Sequence, residues 1–306
     1  MRPVALSPSV PSAVSPGIPL PLMVGIFCVL WSSAFGAAKI AIADCPPLLL
    51  LGARFLIAGV LMLGAAKLQG ARWTLGRRDV VLFAVLGIAN QAIYLGLVYL
   101  GLREVSSGLS VIIVSTAPIA TAVFAYLALG ERMTWGKSLG LLLGIGGVAY
   151  IVESRLSMGG DDHLRGILLS VAAMLSLVGG TILFKRFAPK DGLWLGNGVQ
   201  SLAAGIATMP FALSFESVGD VVVTWRLVVA FAYLVFIVSV FAYLLWFRIL
   251  AVSGATAASS YYFLMPPLGM LFGWLLLGEQ VAFADMLGIV PVVFGIYLVT
   301  RPVSRA

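Results

Sequence analysis

Apolar and polar positions fall in long blocks along this chain. Ten mostly apolar runs, each near 20 residues, alternate with short polar connectors. They cover 20–43, 47–68, 79–101, 105–129, 134–152, 164–187, 191–213, 224–250, 254–277 and 282–300. At about 1.5 Å per residue, roughly 20 helical residues cross the hydrocarbon core of a bilayer. None of the runs alternates with period two, so they predict α-helices rather than barrel strands. Short connectors make neighbouring helices antiparallel and leave no room for an extramembrane domain; only 153–163 and 214–223 are markedly polar. Residues 1–19, rich in Pro, Ser and Val, predict a disordered tail, and 302–306 a second one. Prolines stand where the apolar core of a cleaved leader would be.

The blocks also repeat. LALGERMTW (127–135) and LLLGEQVAF (275–283) each close an apolar run that contains a proline, Pro118 and Pro266. Shifting the chain by 148 residues superposes Pro118 on Pro266, Glu131 on Glu279 and Gly147 on Gly295. From 118 to 151, 9 of 34 positions are identical and most of the others exchange one apolar residue for another. The first runs of each half align with a shift of 146, which places Lys39 on Lys185 and Arg54 on Gln200. Each half, 20–155 and 156–301, holds five runs. Five is odd, so the second half enters the membrane in the opposite sense. The predicted fold is all-α and polytopic: ten transmembrane helices in two five-helix inverted-topology repeats, an architecture of secondary transporters.

Composition agrees with lipid as the solvent. The chain is 61% hydrophobic and 10% charged, against roughly 25% charged residues in soluble domains. The net charge of +7 comes without any basic run, which excludes nucleic acid as a partner. Of 19 Lys and Arg, 13 fall at the face that holds the termini and 5 at the other, with Arg54 inside a run. The positive-inside rule therefore predicts cytoplasmic termini. Cys28 and Cys45 would stand roughly 25 Å apart along one helix, too far for a disulfide. The single His163 lies in a connector, so the sequence offers no metal site, no cofactor motif and no catalytic constellation.

Several stretches carry a family likeness. LWSSAFGAAKIA (30–41), ARFLIAGVLML (53–63) and GLLLGIGGVAYIV (140–152), with the LGE closing runs four and nine, resemble the EamA-type branch of the drug/metabolite transporter superfamily. Within it the chain looks most similar to the aromatic amino-acid exporters. The resemblance implies export of small metabolites, often amino acids, across the bacterial inner membrane.

All 12 Asp and Glu fall at run ends or in connectors. A proton-coupled antiporter usually needs a buried carboxylate, so the expectation is movement down the substrate gradient, or coupling through an unidentified group. Lys39 and Arg54 are the charge candidates. Either they snorkel and pair helices, or they attract a substrate carboxylate. Glu131 and Glu279 precede helices and are expected to cap the next one, or to act as gates. The substrate-binding candidates are Trp31, Ser32, Asn90, Tyr94, Tyr99, Ser115, Pro118, Ser176, Tyr243, Ser259, Tyr262 and Pro266. Asn90 and Tyr94 share a helix face by i,i+4 spacing. Buried hydroxyls otherwise bond between helices, and prolines free a carbonyl one turn back.

The expected cavity is built from runs one, three, four, six, eight and nine. Expected partners are lipid and a small-molecule substrate. Gly140 and Gly144 form a GxxxG that serves packing within a monomer, with a homodimer as the alternative. The expected function is an exporter of amino acids, aromatic or other apolar ones foremost, working by alternating access. The alternatives on the same fold are an exchanger of phosphorylated metabolites or nucleotide sugars, and a drug efflux carrier.

Overall fold

A computed structural model describes residues 19–68, 70, 73–129, 133–157, 163–187, 192–246, 248–249, 252 and 261–300. These residues are helical, with no strand among them. The helices are α1 (Leu20–Asp44), α2 (Pro47–Leu68), α3 (Arg77–Gly101), α4 in two pieces (Ser107–Ser115 and Ala117–Leu129), α5 (Trp135–Ser157), α6 (Leu164–Phe187), α7 (Leu193–Phe215), α8 (Trp225–Trp246), α9 (Met265–Leu277) and α10 (Phe283–Thr300). Among the described residues nine helices are long and apolar enough to cross a membrane, and α9 is a shorter apolar helix behind a 3₁₀ turn, Tyr261–Leu264.

The prolines set helix boundaries. Pro118 is the second residue of the second piece of α4, and Pro266 is the second residue of α9. There the missing N–H is one that a helix start leaves unbonded anyway. At the break in α4, Thr116 Oγ1 donates to the Ile113 carbonyl at 2.6 Å. α3 and α8, third in their halves, both widen into π-helix, over Ile88–Ile93 and Tyr233–Ala242.

Two seams carry the repeat into three dimensions. α2 packs along α7, where a Cβ placed on Gly59 would lie 2.7 Å from Leu202 and one on Gly205 would lie 2.7 Å from Leu56. Further out, Gly52 abuts Met209 and Gly198 abuts Leu63. Each step up α2 is matched by an equal step down α7, so the helices are antiparallel. The shift of 146 converts the first contact of each couple into the second. α5 packs along α10 in the same way. A Cβ on Gly140 would lie 2.6 Å from the Gly295 carbonyl oxygen, and one on Gly147 would lie 2.7 Å from that of Gly288. Here the shift of 148 exchanges the two contacts. Antiparallel helices that meet their own duplicates in this manner are related by a two-fold axis across the helix direction, which is the inverted repeat.

The surface is apolar where lipid would touch it. Val60, Leu142, Val290 and Phe294 are exposed, and Trp73, Trp135 and Trp225 are exposed at helix ends, the belt position of interfacial aromatics. The face from which α1 sets out is called the near face below, and the one where α1 ends the far face.

Candidate substrate site

A cavity lies between α1, α2, α3 and α8. Trp31, Phe35, Arg54, Tyr94, Tyr99 and Tyr243 line it with Ala34, Ala38, Leu95, Val98 and Val238. Its central free volume is about 30 Å³, roughly the share of one water in the liquid. The cleft is narrow, so a metabolite needs the helices to part further. α4, α6 and α9, expected to contribute, do not line it, whereas α2 does. An all-apolar helix has no sequence face, and packing alone decides which side meets the centre.

Arg54 is the one charge in this lining. It is 4% exposed, so it does not snorkel. Its Nε donates to Ser239 Oγ at 2.9 Å and its Nη1 to the Tyr99 hydroxyl at 2.6 Å. Among the described residues no carboxylate lies within ion-pairing distance of the guanidinium, and Nη2 has no hydrogen-bond partner. Around it the aromatics interlock. Trp31 meets Tyr243 edge-on at 5.4 Å, and Phe27 stacks on Trp246 at 5.0 Å behind them.

The other candidates are structural neighbours of the cavity. Ser32 donates to the Met265 carbonyl at 3.4 Å and ties α1 to the start of α9. Tyr94 lines the cavity, whereas Asn90, one turn earlier in the π-helical stretch Ile88–Ile93, lies against Gly180 of α6. The Asn90 carbonyl oxygen is buried without a partner. Ser176 donates to the Ala89 carbonyl at 2.8 Å, satisfying backbone loosened by the same turn. Ser115 and Pro118 sit at the break of α4, Tyr262 stands edge-on to Trp246 at 6.1 Å, and Pro266 is buried at the start of α9. Ser259 and Glu131 lie outside the described residues.

The charge and cap candidates at the far face form a latch. Glu279 does not cap α10. It accepts from Ser107 N at 2.6 Å, Gly108 N at 3.1 Å and Ser107 Oγ at 3.0 Å, so it caps α4. The helix dipole there favours its charge. Lys39 pairs with the same carboxylate at 3.3 Å and donates to the Val105 carbonyl at 2.6 Å. Lys39 is thus held by protein rather than left for a substrate. The first turn of α10 belongs to Asp285, which accepts from Ala282 N at 2.7 Å and pairs with Arg155 at 2.5 Å.

Sequence reasoning missed Glu216, which caps α2 through Leu48 N at 3.1 Å and Leu49 N at 2.8 Å. No local signal marks it, because its helix is 167 residues away in the chain. Glu216 also borders an open polar dish of about 480 Å³ with Asp44, Cys45, Arg103 and Asp220. Burial, and then the Glu216 charge, push the Cys45 thiol up to about 11.

A buried cation among aromatics, enclosed by two antiparallel five-helix units, defines a polytopic carrier for a small solute. The family model of the EamA-like transporter family matches this chain twice, over residues 20–153 and 164–301. The chain belongs to that family and is a multi-pass membrane transporter. It is 27% identical over 287 residues to the uncharacterized transporter YoaV of Bacillus subtilis, covering 93% of this chain and 98% of that one. It is 28% identical to an S-adenosylmethionine/S-adenosylhomocysteine transporter of Chlamydia muridarum, covering 82% of each. It is 26% identical to the inner membrane transporter YedA of Escherichia coli, covering 92% and 91%. A protein crystal structure superposes with a TM-score of 0.65 over 91% of this chain and 95% of its own, at 19% identity, a likeness of fold alone.

Proposed function

We propose that the chain exports small carboxylate-bearing metabolites, amino acids with aromatic or other apolar side chains among them, from the bacterial cytoplasm across the inner membrane. The termini are cytoplasmic in this reading, following the excess of Lys and Arg at the near face. The two halves, 20–155 and 156–301, rock about the α2/α7 and α5/α10 seams and open the cavity alternately to each face. The observation that carries the reading is Arg54, a buried guanidinium with no carboxylate beside it among the described residues, in a cavity walled by Trp31, Tyr94, Tyr99 and Tyr243. A buried charge without a partner is costly, and a substrate carboxylate removes that cost when it binds. The aromatic faces then take an apolar body. The Chlamydia relative is named for a solute that also joins a flat ring system to a carboxylate.

The test is efflux from liposomes preloaded with a panel of Phe, Trp, Thr, Met and S-adenosylmethionine. The expected result is release of the aromatic or apolar members, with a raised KM after Arg54→Gln. No release of any member overturns the proposal.

A further inference from the structure

The charge count of the cavity goes one step further than its shape. Among the described residues its lining holds one cation, Arg54, and no Asp, Glu, Asn or Gln. The remaining polar groups are the hydroxyls of Tyr94, Tyr99 and Tyr243 and the indole of Trp31. Tyr99 accepts from Arg54, which leaves its own proton for a further acceptor. The site is thus rich in donors, the Arg54 guanidinium and the Tyr99 phenol foremost, and a donor calls for an acceptor. No described residue of the lining offers an ammonium a charged partner. An ammonium would also be repelled by Arg54 in a medium where charges act strongly.

We infer that the preferred ligand is a monocarboxylate anion with an aromatic or branched apolar body and no ammonium group, and that the membrane potential drives its export. The inference rests on the carboxylate reading above and narrows it. An anion leaves Arg54 neutralised in the occluded state, whereas a zwitterion leaves the pair with a net positive charge. The same count explains the carrier's acidic residues. Asp and Glu lie only at helix ends and in connectors, so no proton-trading carboxylate sits in the cavity. None is needed if the cargo itself carries charge. One negative charge moved outward gains roughly 2.3 kcal/mol per 100 mV, inside negative, which sustains a gradient of about fifty-fold without any coupled ion.

The experiment compares phenylpyruvate and phenylalanine in liposomes containing the full-length chain, with potassium gradients and valinomycin setting the potential. Phenylpyruvate is expected to leave with a KM at least about tenfold below that of phenylalanine, and faster when the interior is negative. Phenylalanine efflux is expected to ignore the potential. Arg54→Lys should keep the response to potential at a raised KM, and Arg54→Gln should lose the preference for the anion. Quenching of cavity tryptophan fluorescence by each ligand reads binding where flux is low. Phenylalanine moving as well as or better than phenylpyruvate overturns this inference and leaves the proposed function standing. If no solute in either panel moves or binds, both fall. Phenylpyruvate efflux that ignores the potential overturns the driving force named here.

Discussion

Gly140 of α5 and Gly295 of α10 meet backbone to backbone, each holding the space in which the other's Cβ would lie 2.6 Å from a carbonyl oxygen. No side chain can yield there, because the opposing atoms are main chain. Gly140→Ala is therefore expected to force the helices apart and destabilise the protein by about 1–3 kcal/mol, the usual cost of overpacking. Thermal unfolding in detergent reads it. Gly147→Ala, at the equivalent contact, should cost a similar amount, and Gly146→Ala, with open space around its Cβ position, should cost little. Equal melting temperatures for all three variants would contradict the seam.

The far-face latch predicts a change in access. Glu279→Gln keeps the shape of the α4 cap and removes its charge and the partner of Lys39. Charged hydrogen bonds are worth about 1–1.5 kcal/mol more than neutral ones, so opening at the far face should become roughly tenfold more frequent. A cysteine placed at buried Leu109 in the first piece of α4 should then react correspondingly faster with a membrane-impermeant maleimide added from the far side. Unchanged labelling would make the cap a fixed structural element.

Tyr99 predicts a split between binding and turnover. Tyr99→Phe removes the hydroxyl that holds Arg54 Nη1 at 2.6 Å while the ring still fills its place. An unpaired buried donor costs about 1–3 kcal/mol. The guanidinium loses its aim, so substrate KM should rise about five- to tenfold with kcat changed less. A fall in kcat alone, with KM intact, would assign Tyr99 to the helix motion instead.

Cys45 predicts a pH dependence. Its thiol is pushed up to about 11, first by burial and second by Glu216. The thiolate is the nucleophile, so iodoacetamide should modify Cys45 far more slowly at pH 8 than a free cysteine peptide. Because the folded thiol binds its proton more tightly than the unfolded one, its contribution to stability is complete below the ordinary thiol range and is lost as pH rises toward 11. Glu216→Gln should lower the thiol pKa and speed alkylation. Rapid modification in the unaltered protein would refute the assignment.

Much of the fold was legible in the chain because lipid imposes few solutions. Run length named the helices, and an odd number of runs per half named the inversion. The shifts of 146 and 148 read from Arg54, Gln200, Glu131 and Glu279 recur in the seams, where they exchange Gly59 with Gly205 and Gly140 with Gly288. The site was less legible. Arg54 stood out by its charge, but its depth did not, since only the packing of α2 against α7, α8 and α3 removes its route to the interface. Lys39 and Glu279 were both visible, yet they meet across 240 residues, beyond any local pattern. The i,i+4 spacing groups Asn90 with Tyr94, but Tyr94 lines the cavity and Asn90 lies against Gly180, because the neighbours a helix face meets are set by packing against helices distant in the chain.

The two glycine seams join each helix to its own copy: α2 to α7 and α5 to α10. Such surfaces are those of a symmetric dimer written into a single chain. Two separate five-helix polypeptides, inserted in opposite directions, would find the same contacts, so the connector between the halves sets stoichiometry and orientation rather than shape. Co-expressing the halves as independent chains should therefore rebuild the carrier from its parts.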